Sequence, residues 1–302
     1  LDLDTLDIPP QPSGRFQETM SKPQILLTND DGIRSPGLWA AAAALSKLGF
    51  VTVAAPREQS SGTGRSLPGS SDGIIQRETV NVNGQDWIVH AVGGTPAQAV
   101  QHGLLEILPQ KPDLVVSGIN YGENVATGIT ISGTVGAAME AAAVGIPAMA
   151  VSLETDKIHH LSYSTDVDFS AAAHFTEFFG RLLLERGLLP GMELLKVDVP
   201  AEAATDTPWE WTRLSMQRYY YPTAPQRASW DVPGTVGYEM AVRWEEESED
   251  TDIFVLLKKR RVSVTPLTLD MTARVDAAAL AKFYVLDGEP SETKGTASRP
   301  TP

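Results

Sequence analysis

From residue 24 to about residue 200 the chain alternates between short apolar runs and stretches in which alanine and leucine recur at helical spacing. The apolar runs are QILLT (24–28), FVTVAA (50–55), DWIVHAV (86–92), DLVVSG (113–118), AMAVSL (148–153) and LLKVDV (194–199). Between them, residues 36–48, 96–108, 134–144 and 169–186 carry helical patterns, with Pro36 in a first turn and Gly49 and Gly145 as stops. Strands that alternate with helices predict an α/β fold: a mostly parallel sheet covered by right-handed crossovers.

After Pro200 the texture changes. Aromatic and charged runs at 209–222, 236–244 and 252–267 predict an antiparallel excursion from that core, with EEESED (245–250) as a solvated hairpin tip. Its aromatics suit contact with another subunit, and a short helix is expected over 276–284. Residues 1–22 and 288–302 have the composition of disordered ends.

Charge and composition narrow the partners. A net charge of −14 argues against a nucleic-acid duplex, whose binding depends on Lys and Arg neutralising phosphates. Cysteine is absent, so any metal must be held by oxygen or by histidine nitrogen. No run reaches the roughly 18 apolar residues of a membrane span. The first twenty residues lack a basic segment followed by an apolar one, so cytoplasmic residence is expected.

In an open α/β sheet, ligands collect beyond the carboxyl ends of the strands, and four of those loops are unusual. NDDGIRSPG (29–37) reads either as a turn with Ser35 capping a helix, or as two carboxylates, Asp30 and Asp31, turned toward one cation. APREQSSGTGRS (55–66) is either flexible surface or a source of hydroxyls and open amides. SGINYGENVATGITISGTVGAAMEAA (117–142) puts Asn120 at the end of a buried strand. It also puts Ser132, Gly133 and Thr134 at a helix mouth, as an N-cap or as an anion site. GGTPAQAV (93–100) most simply caps its helix at Thr95-Pro96.

Hard oxygen donors without histidine or cysteine select Mg²⁺, Mn²⁺ or Ca²⁺, and such an ion beside an anion pocket suggests phosphoester hydrolysis. The five histidines read as packing residues, with His159-His160 on solvated surface. There is no GxSxG elbow, no Walker loop and no GxGxxG after the first strand.

ILLTNDDGIRSPG, APREQSSGTGRS, GGTPAQAV, VVSGINYGENVATGITISGTVGAAMEA, GIPAMAVS and RRVSVTPL, in this order, resemble the SurE (survival protein E) family of metal-dependent nucleotidases and phosphatases. The resemblance spans about residues 25–269. It implies a Rossmann-like three-layer core over 23–200, with a β-hairpin and C-terminal extension over 201–287 used to form homodimers or homotetramers. It also implies hydrolysis of nucleoside 5′-monophosphates, and of 3′-monophosphates, with one Mn²⁺ or Mg²⁺ per subunit, a site that Ca²⁺ can occupy. By position, the metal ligands would be Asp30, Asp31, Ser61 and Asn120, and the phosphate would meet Asn124, Ser132, Gly133 and Thr134.

Arg57, Ser60 and Gln98-Ala99 depart from the family pattern without touching the ligand set. The expected mechanism is attack by a metal-activated water oriented by Asp30 or Asp31; its rival is a covalent aspartyl-phosphate on Asp30. A non-catalytic nucleotide-binding module on the same fold is the alternative function.

Overall fold

The structure is a computed structural model that describes residues 22–284 apart from 83, 161 and 162. The N-terminal extension up to residue 21 and the tail 288–302, both expected to be disordered, lie outside the described residues.

All six expected core strands form: β1 (Gln24–Thr28), β2 (Phe50–Pro56), β4 (Gln85–Val92), β5 (Leu114–Tyr121), β6 (Ala148–Leu153) and β7 (Leu194–Val199). A further strand, β3 (Ile75–Val82), precedes β4. Beyond residue 200 come β8 (Trp209–Trp211), β9 (Tyr220–Thr223), β10 (Gly237–Met240) and β11 (Val262–Leu267). The helices are α1 (Pro36–Leu45), α2 (Pro96–His102), α3 (Gly133–Ala143), α4 (Ser170–Arg186) and α5 (Ala277–Tyr284).

The main sheet has nine strands in the order β3-β4-β2-β1-β5-β6-β7-β11-β8. Pairing from β4 through β7 is parallel throughout, while β3 and β11 run antiparallel to their core neighbours. Helices α1 and α4 bury Leu38, Leu45, Phe175 and Phe179 against one face; α2 and α3 bury Val100, Val135, Ala138 and Ala141 against the other. The result is a three-layer α/β fold, and no helix among the described residues is long and apolar enough to cross a membrane.

Three expectations need correcting. First, β11 returns to the main sheet beside β7 and brings β8 with it, so part of the 201–287 stretch belongs to the core. Second, residues 252–258 are not strand: a turn of helix spans Phe254–Lys258 before β11 begins. The Asp252 carboxylate there accepts from the Ile253, Ser215 and Ala126 amides, which fixes a helical turn instead of an extended run. Third, EEESED is not a hairpin tip. The hairpin pairs β9 with β10, and the Glu247 carboxylate accepts from Ser215, Gln217 and Thr251.

The strand order positions the site. From β1 the chain crosses by α1 to β2 on one side, while β5 lies on the other side of β1 and is reached through α2 on the opposite face. The crevice beyond the carboxyl ends of β1 and β5 is therefore a topological switch point, where open α/β sheets hold their ligands.

Candidate active site

Asp30 and Asp31 leave β1 at that crevice, and both are buried, at 4% and 0% exposure. The turn that follows is closed by Asn29, whose side chain donates to the Gly32 carbonyl and accepts from its amide, so neither acid is needed to make it. Asp30 Oδ1 accepts a 2.5 Å hydrogen bond from the Thr134 hydroxyl. Its pKa is raised by burial, and the Thr134 hydroxyl, followed by the backbone amides around it, pulls it partway back. Gly133 makes this approach possible: a Cβ there would lie 2.7 Å from the Asp30 Cβ.

Asp31 accepts from the Tyr121 amide at 3.2 Å and more weakly from Gln59. Burial, with the Asp30 charge added, pushes its pKa well up. Among the described residues no Lys, Arg or His forms an ion pair with either carboxylate. Two adjacent acids are thus held out of water with nothing positive to balance them.

Asn120 reaches the same place through an irregularity in β5. Between the pairs Ser117↔Ala150 and Asn120↔Ser152, β5 advances three residues while β6 advances two, a bulge that re-aims the strand end. The Asn120 amide nitrogen donates to the carbonyls of Tyr121 and Gly122, which leaves its Oδ1 without a hydrogen bond among the described residues.

A cleft of about 440 Å³ opens here, and Asp30, Ser61, Asn120, Asn124 and Ser132 all line it. The other three expected residues do not: Asp31 and Thr134 have no exposed surface, and Gly133 backs Asp30. The helix mouth therefore serves two ends at once. Ser132 Oγ accepts from the Val135 amide as an N-cap and keeps its own proton for a ligand, while the Gly133 and Thr134 amides face Asp30. Asn124 turns its side-chain nitrogen to Ser152 Oγ.

The remaining wall was not anticipated from the sequence. Tyr220, Pro222, Val236 and Tyr238 of the β9–β10 hairpin line the cleft with His160. His160 is buried, not solvated: Nε2 faces the Thr155 carbonyl and Nδ1 the Tyr238 hydroxyl. The adjacent tyrosines of YYYP and the Tyr of VGYEM were the available signal, but only the fold of the hairpin places them over core loops distant in sequence, with Tyr238 78 residues from His160 and Tyr220 97 residues from Glu123.

Behind the cleft lie two further buried acids. Asp198 and Asp252 flank the fully buried Lys196, and they accept from the Asn124 and Ala126 amides respectively. Desolvation opposes the Lys196 charge, but the two carboxylates outweigh it and hold its pKa above the ordinary value. Glu123 accepts from the Tyr219 hydroxyl at 2.7 Å, while its Oε2 is buried without a partner.

Burial pushes the Glu123 pKa from an ordinary 4.5 up to about 7. Because the folded value is the higher one, this carboxyl's contribution to stability is complete below about pH 4.5 and is lost as pH rises through about 7. Over that window the loss amounts to about 3 kcal/mol. Glu123→Gln should therefore flatten the stability profile between pH 5 and pH 8, as read by urea unfolding; an unchanged slope would show that Glu123 does not titrate there.

The family model described as Survival protein SurE matches residues 25–221. The chain belongs to the SurE family. It is 44% identical over 274 residues to the 5′-nucleotidase SurE of Thermococcus gammatolerans, a match covering 90% of this chain and 99% of that one. To the 5′-nucleotidase SurE of Thermococcus kodakarensis it is 42% identical over 260 residues, covering 86% and 97%. Among solved structures, the SurE protein from Aquifex aeolicus matches with a TM-score of 0.66 at 31% identity, covering 86% of this chain and 99% of that one.

In this SurE chain, no cluster of three or more Asp, Glu or His side chains is placed to hold a metal ion among the described residues. A cation would instead rest on the adjacent carboxylates and on neutral oxygens from Asn120 and Ser61. That set fits a hard divalent ion: the donors are all oxygen, and the buried pair lacks any other counter-charge.

Proposed function

We propose that the protein is a divalent-metal-dependent 5′-nucleotidase that hydrolyses nucleoside 5′-monophosphates, and 3′-monophosphates with them, to nucleoside and phosphate. The observation that carries this reading is the buried Asp30–Asp31 pair, without an ion-pair partner among the described residues, whose Asp30 opens on a cleft that Ser61, Asn120, Asn124 and Ser132 also line. The names of the relatives agree with it.

In this reading Asp30, Asp31, Ser61 and Asn120 hold the cation and Ser132 and Asn124 hold the phosphate. When bound, a divalent ion supplies charge neutralisation at a phosphoryl oxygen and acidifies a water. Asp30 is the carboxylate that reaches the cleft, so it orients the attacking water and accepts its proton at the oxygen not engaged by Thr134. Thr134 and Gly133 lock Asp30 in place, and the Tyr121 amide holds Asp31, the second carboxylate of the cation set. Ser132 donates its hydroxyl proton to the phosphate as negative charge develops there.

Manganese or magnesium is the working ion of this proposal, with calcium able to occupy the site. The cytoplasm, where nucleotides are abundant, is the proposed location. Exposed Met271, Leu280, Phe283 and Tyr284 on the segment ending in α5 have the character of an arm that packs on a second copy, giving a homodimer or homotetramer.

A panel of nucleoside monophosphates with EDTA, Mn²⁺, Mg²⁺ or Ca²⁺ tests the reading. Phosphate release that needs a divalent ion is expected; release that survives EDTA, or none with any ion, rejects it. In the same assay Ser61→Ala and Asn120→Ala should raise the ion concentration for half-maximal activity roughly tenfold or more. An unchanged requirement would remove that residue from the set.

A further inference from the structure

The loop after β2 carries Ser61, the one member of the proposed cation set that neither a strand end nor a helix mouth holds in place. Ser61 and Gly62 are exposed, and a Cβ on Gly62 would meet nothing within 4 Å. Their position is therefore set by the anchors on either side of them.

On one side, the Ser60 amide donates to the Asp30 carbonyl at 2.7 Å. On the other, the Gly64 amide donates to the Ile131 carbonyl at 3.0 Å, and the chain then lies against α3. Gly136 makes that approach possible, since a Cβ there would stand 2.4 Å from the Gly64 carbonyl carbon. One turn further along the same face of α3, Glu140 Oε2 accepts a 2.7 Å bond from Arg65 Nε. Glu140 Oε1 accepts from the Gln101 side chain of α2 at 2.9 Å, so both carboxylate oxygens are in use. Glu140 is buried, and Arg65 is its ion-pair partner among the described residues. Neither residue lines the cleft.

We propose that Glu140 is a positioning residue for the cation site: through Arg65 it clamps the Ser61 loop onto α3, and it touches neither ion nor substrate. This role rests on Ser61 being a ligand of the ion, as proposed above; what it adds is a source for that ligand's placement outside the cleft. Ser61 is a neutral donor on an exposed step, so part of what it contributes to affinity is offset by the cost of ordering its loop. A clamp that orders the loop beforehand removes that cost. Loss of the clamp should therefore appear in ion affinity and not in turnover of the loaded enzyme, where ion binding has already ordered the loop.

Mn²⁺ binding, followed by titration calorimetry without nucleotide, tests the role. Glu140→Gln keeps the shape of the side chain and its bond to Gln101 but removes the charge that Arg65 answers. It should raise Kd for Mn²⁺ about 3- to 10-fold, the lower end of what supporting residues contribute to metal sites, while kcat at saturating Mn²⁺ stays within about twofold. Arg65→Gln breaks the same bond from its more exposed side and should match it, which keeps the test decisive if the buried variant does not fold. On a Ser61→Ala background neither substitution should raise Kd further, because its route to the ion is gone.

An unchanged Kd in the folded variants, a fall in kcat at saturating ion as large as the rise in Kd, or a further rise on the Ser61→Ala background would overturn the positioning role and leave the cation set in place. A Ser61→Ala protein that binds Mn²⁺ as tightly as the parent would remove Ser61 from that set, and the role of Glu140 with it.

Discussion

Asp30→Asn should abolish phosphate release from nucleoside monophosphates, by about a thousandfold or more, while leaving the metal-free fold at least as stable as the parent. The first effect follows from placement. Asp30 is the member of the acid pair that lines the cleft, and removing its charge halves the negative charge available to a cation worth several kcal/mol to the reaction. The second effect follows from burial. Desolvation raises the pKa of both carboxylates, and the Asp30 charge adds to the rise at Asp31, so each destabilises the fold when ionised without a counter-ion. The asparagine keeps an oxygen for the Thr134 hydroxyl while removing one of the two charges.

Calorimetry in EDTA and then in excess Mn²⁺ separates these effects. The parent should gain thermal stability with the ion, by about 3 kcal/mol at a hundred times Kd, and the variant should gain much less. Retained turnover in Asp30→Asn would remove the pair from the chemistry. A lower melting temperature in EDTA would mean that Asp30 has a counter-charge after all. Acid quenching of a single turnover with ³²P-labelled nucleotide addresses the covalent rival: label that stays on the protein during the turnover supports an aspartyl-phosphate, and label found only in nucleotide and free phosphate supports direct attack.

What the sequence disclosed and what it hid divide along one physical line. Strands β1 and β6 were legible to the residue because buried parallel strands read as nearly continuous apolar runs, and β7 was legible from its leucines and valines although Lys196 and Asp198 interrupt it. The edge strand β3, IQRETVNV, faces water along most of its length, so its polar residues concealed it. The run DIFVLL at 252–257 is apolar enough for a strand, yet it is a buried helical turn held by a carboxylate on three amides; periodicity cannot separate the two at that length.

In the site, the loops that carry Asp30, Asn120 and Ser132 were evident because each follows a strand or opens a helix. The aromatic wall was not, because Tyr238 and His160 are brought together by the hairpin's fold over the core and by nothing local. The helix-mouth motif was recognised, but its use was only half foreseen: Gly133 and Thr134 attend to Asp30, and Ser132 alone of the three lines the cleft. Likewise Gln98, outside the family pattern, is accounted for locally, since its side chain completes a capping box with Thr95 at the start of α2.

Lys196→Met should destabilise the fold by about 3–5 kcal/mol, the range seen when one partner of a buried ion pair is removed. Lys196, Asp198 and Asp252 all have no exposed surface. Removing the amine leaves two buried carboxylates facing each other without a counter-charge. At this chain length the change corresponds to a melting temperature lower by roughly 10 °C.

The consequence for activity is more specific. Asp198 holds the Asn124 amide at 2.8 Å, and Asp252 holds the Ala126 and Ser215 amides, each at 2.9 Å. The triad therefore ties the loop after β5 to the base of the segment that leads into the hairpin. Loss of Lys196 should raise KM for the nucleotide more than it lowers kcat, because Asn124 and the hairpin wall shift while Asp30, anchored separately on Thr134, does not. Replacing all three together, Lys196→Met with Asp198→Asn and Asp252→Asn, removes both orphaned charges and should recover part of the lost stability, since a neutral network is often no worse than a buried ionic one. A single variant as stable as the parent, or a triple variant no better than the single, would show that the ion pairs are not what holds this loop.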